Sequence, residues 1–158
     1  MIKRLTLLAM LLSLVFPLQA QLANAPKREV RAVWLTTLKN LDWPTTRGRD
    51  IHSIGRQKQE LRDILDKYQK ANINTVLLQA VVRASVIYPS AIYPWDACMS
   101  GHFGLSPGYD PLAFAIDECH KRGMEVQAWI ATLPVGQFNG AAAKRLRSKG
   151  YKMFKLNG

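Results

Sequence analysis

The sequence predicts an α/β protein in which strands and helices alternate along the chain. Three observations carry that expectation. Apolar, β-rich runs at 29–38, 72–82 and 124–133 are separated by stretches with helical periodicity, giving the order β-α-β-α-β-α. Hydrophobic residues make up 48% of the 158 residues, enough to bury a core and too many for a disordered chain. Two cysteines exclude a disulfide scaffold, and there is no glycine period of a fibre. Strands that alternate with helices pair in parallel through right-handed crossovers.

The first segment is set aside from the fold. Met1 to Ala20 has the features of a secretory signal peptide. Lys3 and Arg4 supply the positive start, Leu5 to Phe16 an apolar run, and Pro17-Leu18-Gln19-Ala20 a helix breaker followed by a small residue. The run is shorter than the roughly 20 residues of a membrane-spanning helix. Cleavage leaves 138 residues and lowers the formal charge from +11 to +9. The expected location is therefore periplasmic or extracellular, with no stable membrane anchor. No other segment has the length and apolarity to span a membrane.

A polar linker covers 21–28, and the first strand is expected over Glu29 to Leu38. A loop with Asp42-Trp43-Pro44 and Gly48 follows. Arg56 to Ala71 places Leu61, Ile64, Leu65 and Tyr68 at helical spacing, with Arg62–Asp66 and Asp63–Lys67 as outer pairs. Asn72 to Val82 is nearly all apolar, as in a parallel strand buried on both faces. The connection from Arg83 to Tyr109 is long and rich in Pro, Gly, Ser and aromatics. Asp110-Pro111 then opens a helix with an N-cap acid and proline at its first position. Its buried stripe is Leu112, Ala115, Ile116 and Cys119, its wet side carries Asp117–Lys121 and Glu118–Arg122, and Gly123 stops it. Met124 to Leu133 is the third strand, and Pro134 and a loop lead to a helix over Ala141 to Lys149.

Two architectures accept such units: an open doubly wound sheet and a (β/α)8 barrel. No GxGxxG or GxxxxGK[ST] follows a strand, which removes support for nucleotide-binding versions. The loops after the strands instead carry Trp, Tyr, Asp and Arg, and in a barrel those loops form the active face. A barrel takes roughly 250 residues. Three strands fit either a small open sheet or the first three-eighths of a barrel. Charges between Arg56 and Arg122 are mixed, and the basic cluster Lys144, Arg145, Arg147, Lys149, Lys152 and Lys155 fits a solvated helix and tail. No nucleic-acid partner is expected.

Aromatic faces stack on sugar rings while Asp, Gln and Arg bind hydroxyls. Asp42 with Trp43, Gln79 with Arg83 and Tyr88, and Trp95 with Asp96 are combinations of this kind. Trp34 and Trp129, within strands, fit core packing and ligand contact equally, whereas Trp43 and Trp95 in loops favour a cleft. Asp110 suits a helix cap better than a catalyst. Glycoside hydrolysis usually places two carboxyl groups on either side of one bond. Asp42 and Asp96 are the candidates, and neither has a context that marks it as acid or nucleophile. His52, His102 and His120 are isolated, without metal-ligand spacing to Cys98 or Cys119, and no GxSxG elbow is present. Cys98 and Cys119 fit a disulfide in an oxidising compartment and fit two buried thiols as well.

Glu29-Val30-Arg31-Ala32-Val33-Trp34 followed by Leu41-Asp42-Trp43-Pro44 resembles the opening of the glycosyl hydrolase-like 10 family. These are exported bacterial (β/α)8 barrels related to family 10 glycoside hydrolases. The resemblance runs through Gln57-Lys58-Gln59-Glu60-Leu61, Ile73-Asn74-Thr75-Val76, Ile87-Tyr88-Pro89-Ser90 and Pro94-Trp95-Asp96. It continues through Ser100-Gly101, Pro107-Gly108-Tyr109-Asp110-Pro111-Leu112, Cys119-His120-Lys121-Arg122-Gly123 and Ala128-Trp129. It spans Arg28 to about Asn139. Two positions depart from the pattern: Val81 stands where the family usually has Arg, and Gln127 where it usually has His.

The resemblance implies an α/β fold that is the N-terminal part, about three β/α units, of a (β/α)8 TIM barrel and is incomplete. It implies a glycoside hydrolase-like domain over 29–158. The complete form would cleave O-glycosidic bonds of a polysaccharide or cell-wall glycan with paired carboxylates. The catalytic pair would lie beyond Gly158, leaving this portion inactive and its sheet edge exposed, which disfavours solubility. Sugar subsites would be lined by Asp42, Trp43, Gln79, Arg83, Tyr88, Trp95, Asp96 and Trp129, with no metal and no cofactor. The rival is a small exported α/β carbohydrate-binding or interaction domain without catalysis.

Overall fold

The computed structural model describes residues 29–132, 136–137 and 139–152. The signal-peptide and linker segments, Pro134 and Lys155 lie outside the described residues. Strands β1 (Ala32–Leu35), β2 (Thr75–Val82), β3 (Ser85–Val86) and β4 (Glu125–Ile130) form one sheet. β2 is central, pairing in parallel with β1 on one side and β4 on the other. β3 folds back antiparallel on the end of β2. Helices α1 (Ile51–Lys70) and α3 (Pro111–His120) are the crossovers, with a single turn α2 (Ala97–Ser100) between them and α4 (Ala141–Ser148) after β4.

The register sorts the sheet into two unlike faces. Val33, Val76 and Val126 stand side by side and, with Leu35 and Leu78, pack against Leu61 and Leu65 of α1 and Ala115 and Cys119 of α3. Trp34, Leu77 and Gln127 form the row on the opposite face, where Trp34 is 58% exposed. Both crossover helices thus lie on one side. A barrel keeps its helices on one side throughout, and each half of a doubly wound sheet does so up to its switch point, so these units fit both.

The helices begin and end for local reasons. α1 starts five residues before the expected Arg56 because Asp50 accepts the Ser53 N–H at 2.8 Å while Ser53 Oγ accepts the Asp50 N–H at 2.9 Å. This reciprocal cap secures a first turn that lacks an apolar repeat. Asp110 caps α3 as expected, accepting from Ala113 N at 3.0 Å, with Pro111 at the first position. β1 ends at Leu35 rather than Leu38, since Leu38–Asn40 turns into a short 3-10 segment. The expected plain connection after β2 contains β3 and α2. Its hairpin turns through Arg83 and Ala84, both left-handed at φ 51° and 56°. Among the described residues no helix is long and apolar enough to cross a membrane.

The charge pairs rearrange between helices. Arg62 reaches Glu118 at 3.4 Å and Asp66 reaches Arg122 at 2.7 Å, displacing the expected Arg62–Asp66 pair. Asp63 accepts from Gln59 rather than from Lys67. Glu118 and Arg122 do pair, at 2.8 Å, but Glu118 is buried rather than on the wet side, and Lys121 turns to it at 2.9 Å. Burial pushes the Glu118 carboxyl up, yet hydrogen bonds from Arg122 and Lys121 and the charge of Arg62 outweigh it and hold the group at about 2. The folded value is below the ordinary 4.5, so this cluster stabilises the fold fully above about pH 4.5 and its contribution disappears as pH falls to about 2. Glu118→Gln should lower unfolding free energy at pH 7 by roughly 2–3 kcal/mol, less than for a fully enclosed pair because Lys121 and Arg62 reach water. Urea titrations should show the two proteins converging toward pH 2. Coincident curves at pH 7 would remove the cluster from the stability account.

Candidate functional site

A cleft of about 820 Å3 opens at the C-terminal ends of β1, β2 and β4, lined among others by Lys39, Gln79, Arg83, Asp96, Phe103 and Trp129. Gln79 and Trp129 are register partners on the face away from the helices, and a bulge follows between Gln79 and Val81. Bulges re-aim side chains where a sheet meets a site. Trp129 meets Trp34 edge to face, with ring centres 4.8 Å apart, so two indoles from different strands form one aromatic surface on the helix-free face.

Asp96 organises the far wall. It is 2% exposed and receives the Ser85 hydroxyl at 2.5 Å, the Cys98 N–H at 2.8 Å and Arg83 Nη2 at 3.3 Å. It is at once the N-cap of α2 and the counter-charge of Arg83. The Arg83 stem lies against Gly136, where an added Cβ would come within 3.0 Å of Arg83 Cδ and the backbone φ is +83°. Glycine is required there by both space and backbone.

The eight residues expected at the site divide evenly. Gln79, Arg83, Asp96 and Trp129 come together in the cleft. Trp43 does not: it is fully buried in the core, its indole N–H donating to the Gln57 carbonyl at 2.9 Å. Asp42 is exposed and ties its carboxylate to the Thr36 N–H at 2.9 Å. Tyr88 is half-buried against the core cluster, and Trp95 bridges to Val86 outside the cleft lining. Lys39, Ser85 and Phe103 line the cleft and were not expected; no spacing rule marks a single Lys, Ser or Phe in an irregular loop. Asp96 is the one carboxylate among the described residues that line it.

Other chemistry finds little footing. Cys98 and Cys119 are buried free thiols. Burial pushes Cys119 up to about 11 and Cys98 beyond the ordinary thiol range, which leaves both protonated and poor nucleophiles at neutral pH. No group of three or more His, Cys, Asp or Glu among the described residues is placed to hold a metal ion. The arrangement can stack an apolar ring face on Trp129 and donate hydrogen bonds from Arg83 and Lys39.

Sheet, helices and cleft define a mixed α/β domain with its candidate site at the strand ends. The family described as Glycosyl hydrolase-like 10 matches residues 29–151, and the chain belongs to it. It is 47% identical over 110 residues to glycosyl hydrolase YngK of Bacillus subtilis (strain 168), covering 69% of this chain and 21% of that protein. It is 43% identical over 118 residues to glycosyl hydrolase DigH of Escherichia coli (strain K12), covering 72% of this chain and 26% of that one. The matched part is thus only about a fifth to a quarter of these relatives' length.

The double role of Asp96 is separable. Asp96→Ala should destabilise the protein by roughly 3 kcal/mol through the lost cap and the unpaired Arg83. Asp96→Asn, which keeps an oxygen for Cys98 N, should lose about half as much. Chemical denaturation of both variants measures the split, and equal losses would show that the cap contributes nothing.

Proposed function

We propose that this chain supplies the first three β/α units of a (β/α)8 barrel in an exported protein that hydrolyses O-glycosidic bonds of a polysaccharide or cell-wall glycan. One observation carries the reading: Trp129, edge to face with Trp34, lines with Gln79 and Arg83 a cleft at the strand C-termini on the helix-free face. In a barrel that face turns inward and those ends form the active rim. The order β1-β2-β4 with both crossovers on the outside is how such a barrel begins. Trp34, 58% exposed, would be covered by further strands. Both relatives carry the name glycosyl hydrolase.

Within this reading the four gathered residues bind sugar and do not cleave it. Hydrolysis takes two carboxyl groups about one bond, and the oxygens of Asp96 are occupied by Ser85, Cys98 N and Arg83. The acid/base pair therefore belongs to strands other than these. Trp129 provides the stacking platform, and Arg83 the hydroxyl donor.

The test is hydrolysis of cell-wall and polysaccharide glycans by the full-length protein and its Trp129→Ala and Trp129→Phe variants. Loss of the platform should reduce kcat/KM by roughly 10- to 100-fold, about 1.4–2.8 kcal/mol of transition-state binding, with partial rescue by Phe. Unchanged kinetics in Trp129→Ala would overturn the placement of the sugar. Binding by the full-length protein without bond cleavage would leave the non-catalytic carbohydrate-binding domain.

A further inference from the structure

Five described non-glycine residues have left-handed backbone: Lys39, Asn40, Asn72, Arg83 and Ala84. Asn tolerates that region; Lys and Arg have no such local compensation, and they persist there only where the surroundings over-determine them. These two strained positions are also the two cations that line the cleft, delivered from the ends of adjacent strands β1 and β2. Each is fixed by its neighbours. Leu38 N, next to Lys39, donates to Gln79 Oε1 at 3.1 Å, and Asn40 Nδ2 donates to the Cys98 carbonyl at 2.8 Å. Arg83 is fixed by Asp96 at 3.3 Å.

The charge does not balance. Asp96 is the single acid of the described lining and is already paired with Arg83, while Lys39 is exposed and has no carboxylate partner among the described residues. Arg83 meets Asp96 through Nη2 alone and keeps a third of its side chain accessible, so donors remain for a ligand. We infer that Lys39 and Arg83 form a two-cation subsite that binds an oxyanion substituent of the glycan, a carboxylate or a sulfate or phosphate ester. Lys39 supplies a point charge and Arg83 a planar fork, a combination suited to an oxyanion beside a ring stacked on Trp129. The inference rests on the glycan reading and adds the substrate class.

Calorimetric titration of the full-length protein tests it, using a uronic-acid oligosaccharide, its carboxyl-reduced counterpart, a sulfated oligosaccharide and inorganic sulfate. The acidic form should bind at least about 10-fold tighter than the reduced form at low salt. Lys39→Asn, which suits the left-handed backbone, should erase that preference without lowering Tm. Lys39→Arg should restore the preference. A sulfated ligand that outbinds the uronate assigns the ester as the substituent. Equal affinity of the parent for acidic and reduced forms overturns the subsite and leaves the glycan reading intact. If no oligosaccharide binds, the glycan reading fails, and sulfate decides the subsite separately: saturation lost in Lys39→Asn sustains it, and no response overturns it.

Discussion

The amide oxygen of Gln79 accepts the Thr36 hydroxyl at 2.6 Å and the N–H groups of Thr37 and Leu38 at 3.2 and 3.1 Å. The Thr37 hydroxyl returns a bond to the Gln79 carbonyl at 3.1 Å. This one side chain therefore satisfies two of the backbone donors that follow β1, while Asp42 takes the Thr36 N–H. Buried backbone groups must find partners, and without Gln79 the chain after Leu35 would have to continue its ladder. Because it is captured, the chain turns at Leu38–Asn40 and presents Lys39 to the cleft. β2 itself bulges just after Gln79. The end of one strand, the irregularity of its neighbour and the floor of the cleft share a single residue.

The helical side is held together by a different physical device. Glu118, buried on α3, collects Arg62 from α1 and both Lys121 and Arg122, and Arg122 extends to Asp66. The two crossovers are thus locked to each other as well as to the sheet. The local i,i+4 pairs that isolated helices would favour contribute only a few tenths of a kcal/mol each. A shared buried carboxylate with three cationic donors outweighs them, which explains why the side chains abandon the surface pairs for contacts between helices.

Much of this architecture is legible in the residues. The nearly all apolar character of 75–82 marks a central strand, and Asp110-Pro111 marks the start of α3 to the residue. What escapes has a physical reason in each case. The first turn of α1 is secured by a capping box whose third residue is Ser53 rather than Glu or Gln, so its signature is faint. β3 follows an Arg-Ala turn, where a two-residue hairpin would ordinarily use Asn-Gly. Trp43 looked like a loop aromatic for a ligand. Only the fold shows that the Gln57 carbonyl waits beside it in the core. Gln79, Arg83 and Trp129 gather at the cleft because they lie in or directly after strands, whose position follows from the alternation of elements, while Asp96 arrives from the connection as the N-cap of α2. Asp42, Tyr88 and Trp95 sit in loops, where sequence proximity does not determine direction.

Stability and function divide along the strands. Toward the helices Leu61, Leu65, Leu78 and Met124 are all enclosed. Toward the other face the same strands leave Trp34 open, and at their C-terminal ends the backbone enters left-handed conformations at Lys39, Asn40, Arg83 and Ala84. Strain of this kind costs on the order of 1–3 kcal/mol per residue and must be supported by neighbours. The support here is Gln79 for the first turn and Asp96 for the second, both nearly inaccessible to water. Two buried polar groups thus hold an exposed and a half-buried cation in place. The strained rim thus rests on polar contacts of its own, separate from the apolar contacts between sheet and helices.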